Sequence, residues 1–310
     1  MTVSPGGGSV GAAVVNFEAG PLLAECVDSL LADGVRGVVV VDNGSADGSV
    51  DALAPLDPRV TVVRPGRNVG YGSAANRGVA MLDDELVLVC NPDLRAVPGM
   101  VSALAEVAGT EPRAAVVGPV VRDPDGTRYP SARRFPSLLD AAGHAVLGRF
   151  RPDNPFTRRY HGASAAGAEL WPGSGPVPAD WVSGACMLLR RTAFEEVGGF
   201  DEGYFMYAED VDLCWRLRQA GWSVMWTPAG EVVHVQGAST SRRPWRMLVE
   251  HHRSLFRFAI RTSPGWRRLA LPAVAAGLAV RLILAAGDVV VRGVPGGGAP
   301  GARVSPDHGS

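Results

Sequence analysis

The chain has 310 residues, 46% hydrophobic and 20% charged, and its thirty basic and thirty-one acidic side chains leave a formal charge of -1. That length and composition exclude a peptide, a disulfide miniprotein and a disordered chain, and they predict a sizeable core. With no whole-chain field to attract polyanions, no nucleic-acid partner is expected.

Every basic residue is arginine, and Ala, Gly and Val abound, a bias that suggests a GC-rich genome. Cys26, Cys90, Cys186 and Cys214 lie far apart with no C-x-x-C spacing, so reduced thiols are expected rather than a zinc site or a disulfide framework. The first ten residues, MTVSPGGGSV, lack the charged start and apolar run of a secretory signal, which predicts a cytoplasmic location.

Short β-branched runs alternate with amphipathic stretches from Val10 onward: a strand at Val10–Val15, a helix over Pro21–Ala32, a strand at Val35–Val41, a short helix after Asp47 and a strand at Val60–Val63. This rhythm predicts βαβ units and a mainly parallel sheet flanked by helices, an α/β fold. Leu22, Leu23, Cys26, Val27, Leu30 and Leu31 repeat at helical spacing, so one face of that helix should cover the sheet. Strands at Glu85–Cys90 and Ala114–Val121 enclose a helix with Pro98 in its first turn. Residues Arg151–Ala179, rich in Pro, Gly, Ala and Ser, read as a mobile loop. Order resumes over Trp181–Arg190, a helix spans Tyr207–Ala220, and a strand covers Glu231–Val233.

Four stretches carry chemistry. Asp42-Asn43-Gly44-Ser45 follows an apolar strand, at the carboxyl edge where open α/β sheets bind ligands; alone it is equally an ordinary Asn-Gly turn. Next comes Asn68-Val69-Gly70-Tyr71-Gly72 and the helix through Asn76, a glycine-rich turn that offers backbone N–H groups to a phosphate or base. Its Gly70-x-Gly72-x-x-Ala75 spacing also fits a dinucleotide fingerprint with Asp93 beyond, although it follows two earlier βα units instead of the first strand. Asn91-Pro92-Asp93 again follows an apolar strand, where the carboxylate can hold a divalent cation or cap a helix. Finally, Glu209, Asp210 and Asp212 open a helix after an aromatic-rich turn. The helix dipole accounts for any one of them, whereas burial and like-charge repulsion would raise one pKa toward that of a general base.

In this order the motifs DNGSADGS, RNVGYGSAANRG, NPD, WVSGACMLLRR and GGFDEGYFMYAEDVDLCWRLRQAGW resemble the GT-A glycosyltransferases of family 2, from Val10 to about Arg261. The resemblance implies that Phe17, Asp42, Asn43, Asn68, Gly70, Tyr71, Gly72, Asn76, Asn91 and Asp93 hold a sugar-nucleotide donor. It also implies that Asp93 and His234 bind a divalent cation, Mg2+ or Mn2+, with Asn91 standing where the family has its first acid. Asp210 then matches the catalytic base, Glu209 its neighbour that orients the acceptor, and Trp181, Ser183 and Gly184 the acceptor wall. Within the family the chain is most similar to bacterial rhamnosyltransferases acting on polyprenyl-diphosphate-linked N-acetylglucosamine. That implies a dTDP-sugar donor, a lipid-linked acceptor and a peripheral place on the cytoplasmic face of the cell membrane.

The resulting organisation is a flexible N-terminus over 1–9 and a GT-A domain over 10–240, with a nucleotide-sugar half at 10–121 and an acceptor half at 122–240. Membrane-associating helices follow over 241–292, then a disordered tail over 293–310. In the first of these helices Trp245, Leu248, Val249, Leu255, Phe256 and Ile260 lie on one side and Arg246, Arg253, Arg257 and Arg261 largely on the other. This is the pattern of a membrane-surface helix or of a helix packed on the protein with a solvated basic face. The apolar stretch Leu269–Gly287 is long enough to span a bilayer but contains Arg281, which favours peripheral attachment.

Overall fold

The computed structural model describes residues 9–53, 57–135, 175–235 and 244–292. Strand β1 (Val10–Asn16) leads through helix α1 (Leu22–Ala32) to β2 (Val38–Asp42) and β3 (Val60–Val63), then α2 (Tyr71–Ala80), β4 (Leu86–Cys90), β5 (Leu94–Ala96) and α3 (Met100–Thr110). There follow β6 (Ala114–Arg122), β7 (Arg128–Tyr129), β8 (Ala132–Arg133), β9 (Val177–Ala179), β10 (Trp181–Val182) and β11 (Cys186–Arg190). Helices α4 (Arg191–Glu196) and α5 (Glu209–Gln219) precede the long β12 (Ser223–His234), and α6 (Pro244–Thr262) and α7 (Leu271–Arg292) close the described chain.

The main sheet runs β3-β2-β1-β4-β11-β6-β12-β5. Strands β3, β2, β1 and β4 pair in parallel, as do β6 and β12, while β11 and β5 run against their neighbours. Side chains alternate across this sheet with period two, and both faces are covered. Ala12, Val14, Val38, Val40, Leu86 and Leu88 pack on one side with α1 and α3, and Ala13, Val15, Val39, Val41, Val87 and Val89 pack on the other with α2 and α5. On α1 the buried positions are Leu23, Cys26, Val27 and Leu30, the i, i+3, i+4, i+7 stripe read from the sequence. The α/β class with a mainly parallel central sheet is therefore what the alternating pattern predicted.

The differences are local and have physical causes. Trp181–Arg190, read as one ordered run, is divided between two sheets by the Ser183-Gly184-Ala185 turn: β10 pairs with β8, and β11 enters the main sheet. The helix expected from Tyr207 starts at Glu209, because Tyr207 and Ala208 both adopt left-handed backbone, with φ of 68° and 62°. Pro98 precedes its helix, which begins at Met100 after Gly99. The short helix after Asp47 is a single 3-10 turn at Asp51–Leu53. Of the predicted mobile loop, residues 151–174 lie outside the described residues, and residues 177–179 form β9 against β12. The expectations for residues 1–8 and 293–310 lie outside the described residues as well.

Helix α6 packs on the protein and keeps Arg246, Arg253 and Arg257 exposed, as in the reading of a packed helix with a solvated basic face. Its His252, Ser254, Phe258 and Ala259 are buried, and Trp245, Val249 and Ile260 are exposed. Several of its arginines are anchored to the protein: Arg257 and Arg261 bond to Asp201, and Arg246 lies 4.3 Å over the Phe205 ring. Helix α7 packs along α6 and leaves Val280, Ile283 and Leu284 exposed, as are Trp266 and Leu269 before it. Among the described residues, Gly265–Ala286 is the stretch long and apolar enough to cross a membrane by length and composition.

Candidate active site

Strand register brings the four chemical stretches to one edge. Asn16 ends β1 beside Asp42 at the end of β2, and Asn91 follows β4 directly. Because β11 is antiparallel to β4, with Cys186 opposite Cys90, its leading turn lies at that same edge, and the Asn91 N–H donates to Ala185 O (2.9 Å). His234 ends β12, opposite Leu94, and so reaches Asp93.

At the Asp42 corner the Asn16 amide donates to Asp42 Oδ1 (3.3 Å), Ser45 Oγ (3.1 Å) and Ser49 Oγ (2.9 Å), while Asn16 Oδ1 is buried without a partner. Asn16 was missed in the sequence; its one signal is a polar side chain ending an apolar run. Phe17, the next residue, is half-buried, and Arg64 Nε lies 3.9 Å from Asp42 Oδ2. Asn43 faces inward as a brace. Its Oδ1 accepts from Val69 N–H (2.8 Å) and its Nδ2 donates to Asn68 Oδ1 (3.1 Å), tying the Asp42 loop to the glycine-rich turn.

That turn holds the protein together in place of presenting a row of free N–H groups. Gly70 N–H donates to Asn68 Oδ1 (3.0 Å) and Tyr71 N–H to Phe205 O (3.0 Å). A Cβ at Gly70, where φ is 92°, would lie 2.6 Å from Phe205 O, and one at Gly72 would lie 2.9 Å from the Phe200 Cβ. These glycines admit the 200–205 loop, and the dinucleotide reading loses the close approach it requires. Asn76 likewise clamps Phe200, accepting from its N–H (2.9 Å) and donating to its carbonyl (2.9 Å). Tyr71 is buried, and its hydroxyl donates to Gly184 O (2.5 Å).

Asn91, Asp93 and His234 converge. Asp93 Oδ1 lies 3.0 Å and Asn91 Nδ2 3.2 Å from the same atom, His234 Nε2, and Asp93 is only 5% exposed. One nitrogen cannot both donate to the carboxylate and accept from the amide. Half a turn of the Asn91 amide brings a third electron-pair donor to this point, and a carboxylate, an imidazole and an amide oxygen form a set that suits a hard or borderline divalent cation. The residues present therefore fit the group, with Asn91 able to contribute a neutral oxygen in the position of an acid.

Glu209 and Asp210 sit side by side in different environments. Glu209 is buried, its Oε2 has no partner, and burial followed by the Asp210 charge pushes its pKa up to about 8. Burial also raises the Asp210 pKa, but there the Gly184 N–H (2.8 Å to Oδ2), the Val211 N–H (2.8 Å to Oδ1) and the Arg133 charge favour the ionised form. The pair is thus set apart by environment: Glu209 is held toward its neutral form, and Asp210 has N–H donors and a cation that favour its carboxylate form. Arg133, which lies over the rings of Tyr129 (5.2 Å) and Trp181 (5.3 Å), escaped the sequence reading because its two-residue strand shows no period.

The neighbouring acid serves the fold. Asp212 is fully buried, bonded to Arg216 Nε (2.7 Å), Arg261 Nε (2.7 Å) and the Tyr204 hydroxyl (3.1 Å). On the expected acceptor wall Ser183 N–H donates to Ser131 O (2.8 Å), the Trp181 indole to Arg134 O (3.0 Å), and Gly184 abuts Asp210.

The family model described as Glycosyl transferase family 2 matches residues 12–198, and one described as Glycosyl transferase family group 2 matches residues 161–285. The chain is 43% identical over 270 residues to the N-acetylglucosaminyl-diphospho-decaprenol L-rhamnosyltransferase of Mycobacterium tuberculosis, covering 83% of this chain and 86% of that one. In fold it resembles the mannosyltransferase PcManGT from Pyrobaculum calidifontis, solved with GDP-Man and Mn2+, with a TM-score of 0.54 and 18% identity over 95% of this chain and 77% of that one. It also resembles GalNAc-T7, solved with UDP, GalNAc and Mn2+, with a TM-score of 0.55 and 15% identity over 74% of this chain and 43% of that one.

Proposed function

Because the chain belongs to glycosyl transferase family 2, we propose that it moves L-rhamnose from dTDP-rhamnose onto a polyprenyl-diphosphate-linked N-acetylglucosamine, in cell-wall or surface polysaccharide synthesis. The observation that carries this reading is the 43% identity to a decaprenol-linked rhamnosyltransferase over 83% of this chain and 86% of that one.

The reaction is a single inverting displacement. Asp210, aimed by the Gly184 N–H, takes the proton of the acceptor hydroxyl as that oxygen bonds to the anomeric carbon, and the bond from that carbon to dTDP breaks. Glu209, neutral at pH 7, presents no second charge to the entering hydroxyl. Asn16 and Asp42 receive the nucleoside at the ends of β1 and β2, and Trp181, Ser183 and Gly184 border the acceptor. Asp93 and His234, with Asn91, would hold Mg2+ or Mn2+, which when bound neutralises charge on the leaving diphosphate. Asn43, Asn68, Gly70, Tyr71, Gly72 and Asn76 contribute by holding this edge in shape.

The exposed Trp266 and Leu269, with Arg267 and Arg268 between them, suit an anionic bilayer surface and support peripheral attachment at the cytoplasmic face.

The test is a product assay on full-length protein with a lipid-diphosphate-linked N-acetylglucosamine and a panel of dTDP-rhamnose, UDP-galactofuranose, UDP-glucose and UDP-N-acetylglucosamine. Product from dTDP-rhamnose alone is expected. Turnover of another donor would reassign the sugar, and tight donor binding without turnover would make the chain a silent sugar-nucleotide-binding module.

A further inference from the structure

Asp210 is aimed from a turn that is costly to hold. Tyr207 and Ala208, the two residues before α5, both take left-handed backbone, with φ of 68° and 62°. A residue with a Cβ keeps that conformation only where its surroundings enforce it. A relaxed turn would carry the start of α5 away from the Gly184 N–H, which meets Asp210 Oδ2 at 2.8 Å.

Those surroundings are supplied by α6, one side of which follows the segment from Asp201 to Tyr207. Arg257 donates to both oxygens of Asp201 (2.9 and 3.0 Å) and lies 5.2 Å over the Tyr204 ring, and a Cβ at Gly203 would run into its guanidinium. The Arg246 guanidinium covers the Phe205 ring at 4.3 Å, the Ser254 hydroxyl donates to Met206 O (2.8 Å), and the His251 ring stands edge-on to Tyr207 at 5.1 Å. Arg261 joins the two sides of the turn: it pairs with Asp201 before it, and its Nε lies 2.7 Å from Asp212 Oδ1 within α5. Ser254 is buried, and Asp212 is fully so.

We propose that α6 is the brace of the catalytic base, with Arg261 and Ser254 as positioning residues that hold the Tyr207–Ala208 turn in its left-handed form and so keep Asp210 on the acceptor hydroxyl. This inference rests on the base role given to Asp210 above. Helix α5 does not need the brace in order to form: without Arg261, Asp212 keeps Arg216 (2.7 Å) and the Tyr204 hydroxyl (3.1 Å). The nucleoside is received elsewhere, at the ends of β1 and β2, so loss of the brace should lower the chemical step and spare donor binding. Glycine takes left-handed backbone without steric cost, so Ala208→Gly should relieve α6 of part of this duty.

The test uses full-length protein with the donor and lipid-linked acceptor that it turns over, and calorimetry with the nucleoside diphosphate of that donor. Arg261→Gln should lower kcat at least about tenfold, the order for a misplaced catalytic group, with acceptor KM and nucleoside-diphosphate affinity within about twofold of wild type. Arg261→Lys, which brings one charge to Asp201 or Asp212, should regain part of that loss. Adding Ala208→Gly to Arg261→Gln should regain about threefold or more, because the turn then needs less support. Three results would overturn the proposal: kcat within about twofold of wild type in a folded Arg261→Gln protein, an equal loss of nucleoside-diphosphate affinity, or no recovery on adding Ala208→Gly. If the melting curve shows Arg261→Gln to be unfolded, Ser254→Ala, alone and with Ala208→Gly, carries the same comparison. If wild type transfers no sugar, the proposed function fails and the brace is read without turnover. The fluorine resonance of 3-fluorotyrosine at position 207, assigned with Tyr207→Phe, should move or broaden in Arg261→Gln and Ser254→Ala, and an unmoved resonance would overturn the brace.

Discussion

Replacing Asp210 by Asn keeps the side chain's shape and removes its proton acceptor. The asparagine oxygen can still accept from the Gly184 N–H, which donates to Asp210 Oδ2 at 2.8 Å, so the turn that aims the side chain should stay in place. Losing one of the two backbone hydrogen bonds should cost about 1 kcal/mol. Melting temperature should therefore move by only a few degrees, since 1 kcal/mol corresponds to about 2–4 °C in a domain of 150–250 residues. The chemical step should fall by about 10²–10⁴, the range for loss of a general base, equivalent to about 3–5 kcal/mol of barrier. Single-turnover transfer measured with saturating donor and acceptor, alongside donor affinity and a melting curve on the same sample, checks all three quantities. Turnover within about threefold of wild type in a folded Asp210→Asn protein would refute the assignment and pass the base role to Glu209, because Asp212 is fully occupied by Arg216, Arg261 and Tyr204.

Glu209 has a pKa of about 8 in the fold against an ordinary value of 4.5, so folding disfavours its ionisation; the penalty is absent below pH 4.5, grows as pH rises toward 8 and is constant above it. Glu209→Gln should accordingly leave stability unchanged near pH 4.5 and raise it by about 2–4 kcal/mol at pH 8, and a difference in denaturant midpoint that is flat with pH would contradict the burial argument. Asp93→Ala and His234→Ala should each weaken Mn2+ binding, read by electron paramagnetic resonance, and should loosen the donor in the presence of metal. Full wild-type activity in excess chelator would remove the metal role. Gly70→Ala combines a φ of 92° with a Cβ 2.6 Å from Phe205 O, and it should cost about 1–3 kcal/mol and slow transfer by displacing the loop that leads to Glu209. A melting temperature within 1 °C of wild type would show that the 205 loop yields freely.

The sequence by itself determined the parts of this protein that follow from period and punctuation. Short apolar runs over Val10–Val15 and Val38–Val41 specified buried strands, the Leu23, Cys26, Val27, Leu30 stripe specified a covering helix, and Asp42, Asp93 and Asp210 stood out as acids directly after strands or at a helix start. These signals are local, since a side chain's face is set by its own neighbours in the chain. Only the tertiary structure decided what surrounds each acid. Glu209 and Asp210 are adjacent and alike in sequence, yet one is buried without a partner and the other meets an N–H from a turn 26 residues earlier. The glycine-rich turn, read as a phosphate cradle, proved to be the close-packing surface for Phe200 and Phe205, more than 120 residues away. On α6 the arginines remain largely exposed, but their partners Asp201 and Phe205 could not be read from the sequence. In each case the deciding energy is desolvation or a long-range hydrogen bond, which depends on what the folded chain brings alongside and leaves no periodic trace in the residues themselves.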